Sequence, residues 1–491
     1  MRRFACVMLT ACLALAFAAP VRAEVAFDWT LRIAAEGSLC AETMCLLPDG
    51  GAYLAGFVEG EADCGEALGG QDAYLAYVDA QGNVVWQHRY GGSGNERFTR
   101  VIEGLGGGCL ALGVTNSEDE QCRASRGMQD AFLARVDENG DLLWTKCLGG
   151  SLDDELTNVT LWEEGGYLVC GRSKSRNGDL GANYGGWDAW AMLLSEADGK
   201  PQWVVRYGDV GDDAFSLILT EYDCWIFMGT MTVFSESEEE GAEPVVSTMP
   251  IAVAVNGTGE ILWEQTLGGT GVSIVTAARE MESGWLLAGE TNSTSALMPA
   301  GHGGMDLWML QMRQNGTISV QRTYGGEANE NLFGLYAADE GGFLFLASTQ
   351  SKTGQVSGTH GAEDIWAVRT TAAGALQWQQ ALGGSGWSAP AGAIGDGMGG
   401  WYILGSTVSQ DGDIGAHPSM RTGFLAHLAS NGNLLSVDLI GGSEEFSAVS
   451  IDRSDEGAYL LGVIRQAEPT GIVNEIWLAK LAQSVKADTG E

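Results

Sequence analysis

Residues 96–150 read ERFTRVIEGLGGGCLALGVTNSEDEQCRASRGMQDAFLARVDENGDLLWTKCLGG. Four strand-like runs lie in them. Phe98 to Ile102 is a mixed apolar stretch, and Gly107–Gly113 (GGCLALG) is an apolar run opened and closed by glycine. After a loop of roughly fifteen residues comes DAFLARV (130–136); after the turn Asp137-Glu138-Asn139-Gly140 comes LLWTKCLGG (142–150). Alternation, β-branched and aromatic residues, and Gly, Asn and Asp at the turns specify antiparallel strands. No helical period of useful length competes with this reading.

The glycine-closed run recurs with last residues Gly56, Gly113, Gly171, Gly229, Gly289, Ala347, Gly405 and Gly462, at spacings of 57, 58, 58, 60, 58, 58 and 57 residues. The third run recurs as DAYLAYV, DAWAMLL, PIAVAV, DLWMLQM, DIWAVRT, TGFLAHL and EIWLAKL. Four short strands per unit, repeated every ~40–60 residues, is the pattern of a β-propeller blade. The fourth run follows a third run only seven times; its eighth copy, FDWTLRI, stands at the front as Phe27–Ile33. The expected fold is all-β: an eight-bladed β-propeller of four-stranded antiparallel blades over residues 24–482, its ring closed by the N-terminal strand. Phe27–Ile33 should pair beside Glu475–Leu481, which removes an open sheet edge. Residues 483–491 read as a polar C-terminal tail.

The unit resembles repeats of bacterial secreted and surface β-propeller proteins. The residues that carry the likeness are Gly149-Gly150-Ser151, GGYLVCG (165–171), GDLGANYGGWDAW (178–190) and DGKPQW (198–203), and it extends over Phe27–Leu481. It implies a fold and a bacterial, exported context. It implies no single role, because propellers host many unrelated ones. Unit four departs most, with Pro250 in place of the Asp before the third run and a longer, acidic loop (SESEEEGAE, 235–243).

The 491 residues carry 26 Lys+Arg against 64 Asp+Glu, a net charge of −38; loss of residues 1–23, with three arginines and no acid, takes it to −41. Such a field repels nucleic acid and anionic membranes. With 45% apolar residues the chain can still bury a large core. Arg2 and Arg3, the apolar run Phe4 to Ala19 and the small-residue pattern Val21-Arg22-Ala23 form a secretory signal peptide with cleavage after Ala23. The protein is therefore expected to be secreted or associated with the cell envelope. Leu9-Thr10-Ala11-Cys12 offers a second reading, a lipid anchor at Cys12. No later stretch of ~20 apolar residues suggests a transmembrane segment, and a monomer is expected. The eight cysteines beyond the signal show no CxxC spacing. Export permits disulfides, and at least one bridge is expected among Cys40, Cys64 and Cys122.

Candidate functional residues follow from place in the unit. Recurrent Trp on the third and fourth runs reads as packing between blades. Asp72, Asp130, Asp188, Asp306 and Asp364, each opening a third run, should accept backbone N–H groups of the loop before them. Glu96, Asp154, Asp213 and Glu330 follow Gly-rich turns at the start of the first run, the strand that lines a propeller's channel. They are candidates to hold Ca²⁺ at the channel mouth through oxygen ligands; no other cofactor is expected. His302, His360 and His417 take similar places in long loops and read as loop packing. No GxSxG, HExxH, phosphate-binding or dinucleotide motif occurs, so no catalytic residue is named. Tyr184, Trp187 and Trp387 are aromatics without a strand position on the long-loop face, suited to stack on a sugar or anchor a protein. The expected function is a secreted, non-catalytic binding or scaffold propeller with a glycan or protein partner. The alternative is an enzyme, a hydrolase, lyase or quinoprotein-like dehydrogenase, with its site at the channel mouth.

Overall fold

The glycine that closes each second run has a structural cause. In the second blade the strands are Glu96–Glu103, Cys109–Thr115, Asp130–Val136 and Leu142–Leu148. The register between the first two slips between Phe98 and Arg100, and Gly113 stands opposite Phe98. A Cβ on Gly113 would lie 1.8 Å from the Arg97 carbonyl oxygen, so the glycine lets the bulged strand approach closely. The same slip recurs opposite Gly56, Gly171, Gly229, Gly289, Ala347, Gly405 and Gly462. The period read in the sequence is thus the period of a bulge.

The structure is a computed structural model. It describes residues 25–482 apart from 124, 163, 182, 222–223, 236–243, 283, 294–298, 300, 314–315, 418–419 and 469–470. The signal segment, the C-terminal tail and most of the acidic run at 235–243 lie outside the described residues. Eight four-stranded antiparallel sheets form an eight-bladed β-propeller. First strands of neighbouring blades pack on one another round the inside of the ring, and Leu39–Leu46 of blade one meets Glu445–Ser454 of blade eight. Closure occurs as the sequence requires. Phe27–Ile33 pairs antiparallel with Gly471–Leu481, from Phe27 opposite Leu481 to Ile33 opposite Ile476.

The buried apolar residues fall into eight clusters, each shared by two adjacent blades. In Cys109–Thr115, Cys109 and Ala111 belong to the core shared with blade one, while Leu110 and Leu112 belong to the core shared with blade three. Both faces of the strand are buried. This is why second runs read as continuous apolar stretches instead of alternating ones.

Strand-four tryptophans fasten four of the blades to the next. The indole Nε1–H donates to the carbonyl oxygen of a turn one blade on: Trp29 to Ala80, Trp86 to Glu138, Trp144 to Glu196 and Trp378 to Ser430. The ring packs under that turn's glycine; a Cβ on Gly140 (φ +82°) would lie 2.8 Å from the Trp86 ring. Replacing Trp144 by Phe should therefore keep most of the buried area but leave the Glu196 carbonyl without its donor. A loss of about 1 kcal/mol is expected, read as a lower denaturant midpoint with unchanged m-value.

Blades four and eight depart from the unit. Their middle strands run on as the long hairpins Cys224–Ser235 with Val245–Asn256, and Gly457–Glu468 with Gly471–Leu481. In blade four Pro250 replaces the capping Asp, and β-branched residues on both sides (Thr230, Thr232, Val233; Val245, Val246, Thr248) let pairing continue to Ser235 and Val245.

Candidate functional site

The third blade's long loop ends in Asn183-Tyr184-Gly185-Gly186-Trp187-Asp188. Asp188 opens the third strand, and its Oδ2 accepts the Tyr184 N–H at 2.6 Å. The same bond, four residues back, runs from His302 to Asp306 and from His360 to Asp364, and Arg126 and Leu68 serve Asp130 and Asp72. These aspartates therefore shape loops, as their position suggested. Asn183 Nδ2 binds the Ser173 and Gly186 carbonyls, and the Trp187 N–H donates to Asp212 Oδ1 at 2.9 Å. A rigid turn thus presents Tyr184 outward, 62% exposed.

Strand register sets the surroundings of Trp187. Ser173 pairs with Asp188, which places Lys174 beside Trp187 one step beyond the ladder, with Arg172 two residues away on the same side. The Arg172 Cζ lies 4.3 Å and the Lys174 Nζ 4.4 Å from the Trp187 ring centroid. Glu155 holds Arg172 at 2.7 Å and Asp153 holds Lys174 at 3.3 Å. Sequence reasoning found Tyr184 and Trp187 but missed both cations, because they sit on a neighbouring strand whose register had to be known. Trp387 precedes the first strand of blade seven, its ring 5.1 Å from the Arg421 Cζ. Blades three and seven are four apart in a ring of eight, so the two tryptophans lie on opposite sides.

Glu96, Asp154, Asp213 and Glu330 sit in four different blades, each 0–1% exposed beneath its own Gly-rich turn. Glu96 accepts the Thr115 and Ser117 hydroxyls, both at 2.6 Å, and the Gly92 N–H. Asp154 accepts the Ser173 and Ser175 hydroxyls and the Gly150 N–H. Asp213 accepts the Thr232 and Asp209 N–H groups, and Glu330 the Thr349 hydroxyl and Gly326 N–H. In blades five and seven the slot holds hydroxyl pairs instead, Ser273 with Thr291 at 2.7 Å and Ser388 with Thr407 at 2.9 Å. The structure does not bring the four carboxylates together at the channel mouth. Their oxygens tie turns to strands. Among the described residues no group of three or more His, Cys, Asp and Glu is placed to hold a metal ion.

These carboxylates instead meet the third-strand aspartates. A Cβ on Gly325 would lie 1.8 Å from Asp306 Oδ1 and 2.4 Å from Glu330 Oε2; on Gly149, 2.2 Å from Asp130 Oδ1 and 2.8 Å from Asp154 Oδ2. Asp130, Asp188 and Asp306 each leave a buried Oδ1 without a hydrogen-bond donor. Burial pushes the carboxyls of Asp130, Asp154, Asp188, Asp306 and Glu330 up, and Asp213 up to about 6.

A cavity of about 210 Å³ on the short-turn face, between blades six and seven, was not foreseen. Glu340, Arg369, Gln377, Trp378, Trp401 and Ser430 line it. Between blades two and three the matching space is closed by Arg135 and Glu196, 3.3 Å apart. Arg369 stands where Arg135 does, but the turn of blade seven places Ser430 where Glu196 would be, and the shorter side chain leaves the space open. Aligning the turns against one another would have shown it. All eight cysteines of the described chain are free, and none of Cys40, Cys64 and Cys122 is joined to another. Cys64 lies beside Arg89 and Cys122 beside Cys147, each within its own blade.

No family model matches the chain. It is similar to the regulatory protein FlaEY of Caulobacter vibrioides, 23% identical over an alignment of 378 residues that covers 68% of this chain and 39% of that protein. The chain thus matches about two-fifths of the length of that relative. Among solved structures, Sqt1 from Chaetomium thermophilum superposes with a TM-score of 0.46 at 12% identity, over 94% of this chain and 100% of that one. Puromycin hydrolase does so with a TM-score of 0.41 at 12% identity, over 91% of this chain and 62% of that one. No helix among the described residues is long and apolar enough to cross a membrane.

Proposed function

We propose that the chain is an exported, non-catalytic binding propeller that takes a glycan or protein partner on its long-loop face. The observation that carries this reading is the Tyr184–Trp187 turn of blade three. It combines an exposed aromatic, a half-buried indole beside two cations, and two carboxylates that neutralise them, all on backbone fixed by hydrogen bonds. An aromatic surface with charged groups held at its edge suits a ligand with apolar and polar faces, and a preorganised turn loses little entropy on binding. Residues 1–23 serve as the export signal, removed after Ala23. The monomeric state and the absence of a nucleic-acid partner belong to the same proposal.

The test screens the purified chain, residues 24–491, against a glycan array and against surface proteins. Trp187→Ala should weaken binding by about 1–2 kcal/mol, a five- to thirty-fold rise in Kd. Thermal stability should change little, because the ring lies outside the blade cores. Binding unaltered by the substitution, with a large fall in Tm, would move Trp187 into the scaffold and remove this face from consideration.

A further inference from the structure

The long loops carry one recurrent anchor. Eight residues before the first residue of the third strand stand Cys64, Cys122, Leu180, Val356 and Ile414, and all are at most 5% exposed. In blades one, two, three and seven this anchor docks on the next-to-last residue of the fourth strand. Cys64 meets Arg89, the Leu180 carbonyl meets Arg206, and Ile414 and Leu439 share a cluster. In blade two both places are cysteine, Cys122 and Cys147, buried at 0% and 2% in one cluster.

The backbone around them is fixed. Glu120, with φ 46°, is the one non-glycine in the left-handed region among the described residues, and it turns the chain so that Cys122 points inward. The Gln121 carbonyl accepts the Thr145 hydroxyl at 3.0 Å, two residues from Cys147, and the Gln121 side-chain oxygen accepts the Gly91 N–H at 3.1 Å. Gln121 thus ties the loop to the outer strand of its own blade beside Cys147 and to the turn that follows blade one.

We propose that Cys122 and Cys147 are a disulfide site that staples the long loop of blade two to its outer strand. The reaction is thiol–disulfide exchange with a small-molecule or protein disulfide. Both S–H bonds break, the Sγ–Sγ bond forms, and the oxidant takes the two electrons and two protons and leaves as two thiols. The bond closes as the loop docks, before burial shields the sulfurs. The bridge uses Cys147, which is not among the three cysteines Cys40, Cys64 and Cys122 where a bridge was expected. It does not depend on the binding reading.

The test uses the full mature chain, refolded in a glutathione redox buffer. Free thiols are alkylated in denaturant, then disulfides are reduced and labelled with a second reagent, and peptides are mapped by mass spectrometry. Cys122 and Cys147 should carry only the second label, and a linked peptide should join them before reduction. Recovery of both with the first label, or either one joined to another cysteine, would overturn the proposal. A second measurement uses Cys147→Ser. Reductant should lower the Tm of the parent by about 3–6 °C and leave that of the variant unmoved; an equal fall in both would also overturn it.

Discussion

A chain that begins at Ala34 is expected to leave solution or to form oligomers, with no cooperative melting transition at the parent temperature. The strand it lacks does several things at once. Phe27–Ile33 covers the edge of Gly471–Leu481 over its paired length. Trp29 donates to the Ala80 carbonyl of blade one and packs under Gly82. Ile33 is buried in the core between blades eight and one, and Phe27 meets Trp477 edge-to-face at 5.5 Å. Arg32 pairs with Glu444 at 3.0 Å and Glu475 at 3.2 Å. Partial burial of Phe27, Trp29 and Leu31 and full burial of Ile33 are together worth roughly 5 kcal/mol, about the stability of a small domain. An uncovered apolar edge strand is also a template for pairing with other chains. Light scattering after size-exclusion chromatography checks the outcome. A monomer with the parent Tm would mean that blade eight is stable with three strands.

Stability should also rise as the pH is lowered from 8 to 5. Asp130, Asp154, Asp188, Asp213, Asp306 and Glu330 are buried carboxyls raised by desolvation. A raised acid binds its proton more tightly in the folded than in the unfolded state. Its stabilisation is complete below the unfolded value near 4 and is lost as pH climbs through the folded value, about 6 for Asp213. A two-unit shift corresponds to about 3 kcal/mol at that site. The turn carboxylates Asp79, Asp119, Asp137 and Glu327 are shifted down, Glu327 to about 2, chiefly by the hydrogen bonds they accept, so their contribution fades only in stronger acid. The Tm should therefore peak near pH 5.

The Asp306–Glu330 pair separates this effect from the relief of the overall charge of −38. His302 Nδ1 stands 3.8 Å from Asp306 Oδ1, and the pair is also faced by the Thr349 and Ser351 hydroxyls and by the His302, Gly303 and Gly326 N–H groups. Asp306→Asn keeps an acceptor for the His302 N–H and points an amide N–H at Glu330. It should stabilise the protein at pH 8 by about 1–2 kcal/mol and flatten the pH profile. A variant less stable than the parent at pH 8 would show that the two carboxylates are held apart by a partner that asparagine cannot replace.

The features legible in the sequence are those the unit repeats. Blade number, strand order and closure all follow from the spacing of the bulge glycines and from one surplus strand at Phe27–Ile33. The role of Asp188 and its counterparts was legible too, because a carboxylate four residues after a turn residue can reach only local N–H groups. What was not legible depends on contacts between strands or blades. Arg172 and Lys174 come to Trp187 through the pairing of Ser173 with Asp188. Glu96 and its counterparts were placed at the channel because the first strand lines it; their side chains turn back to the Gly-rich turn and the Thr and Ser of the second strand. The cavity beside Arg369 appears only when Ser430 is compared with Glu196 four interfaces away.

No blade of this ring owns a hydrophobic core; each core belongs to a seam. A substitution therefore taxes one seam and leaves seven untouched, while the closed circuit keeps the damaged seam from opening, since both its halves are still gripped from their far sides. Redundancy of this kind lets individual units drift. Ala347 stands for the bulge glycine, Ser273 and Ser388 for the buried acid, and Pro250 for the capping aspartate, yet the ring closes. The same redundancy gives a surface loop freedom to acquire an exposed tyrosine or a cysteine without putting the architecture at risk.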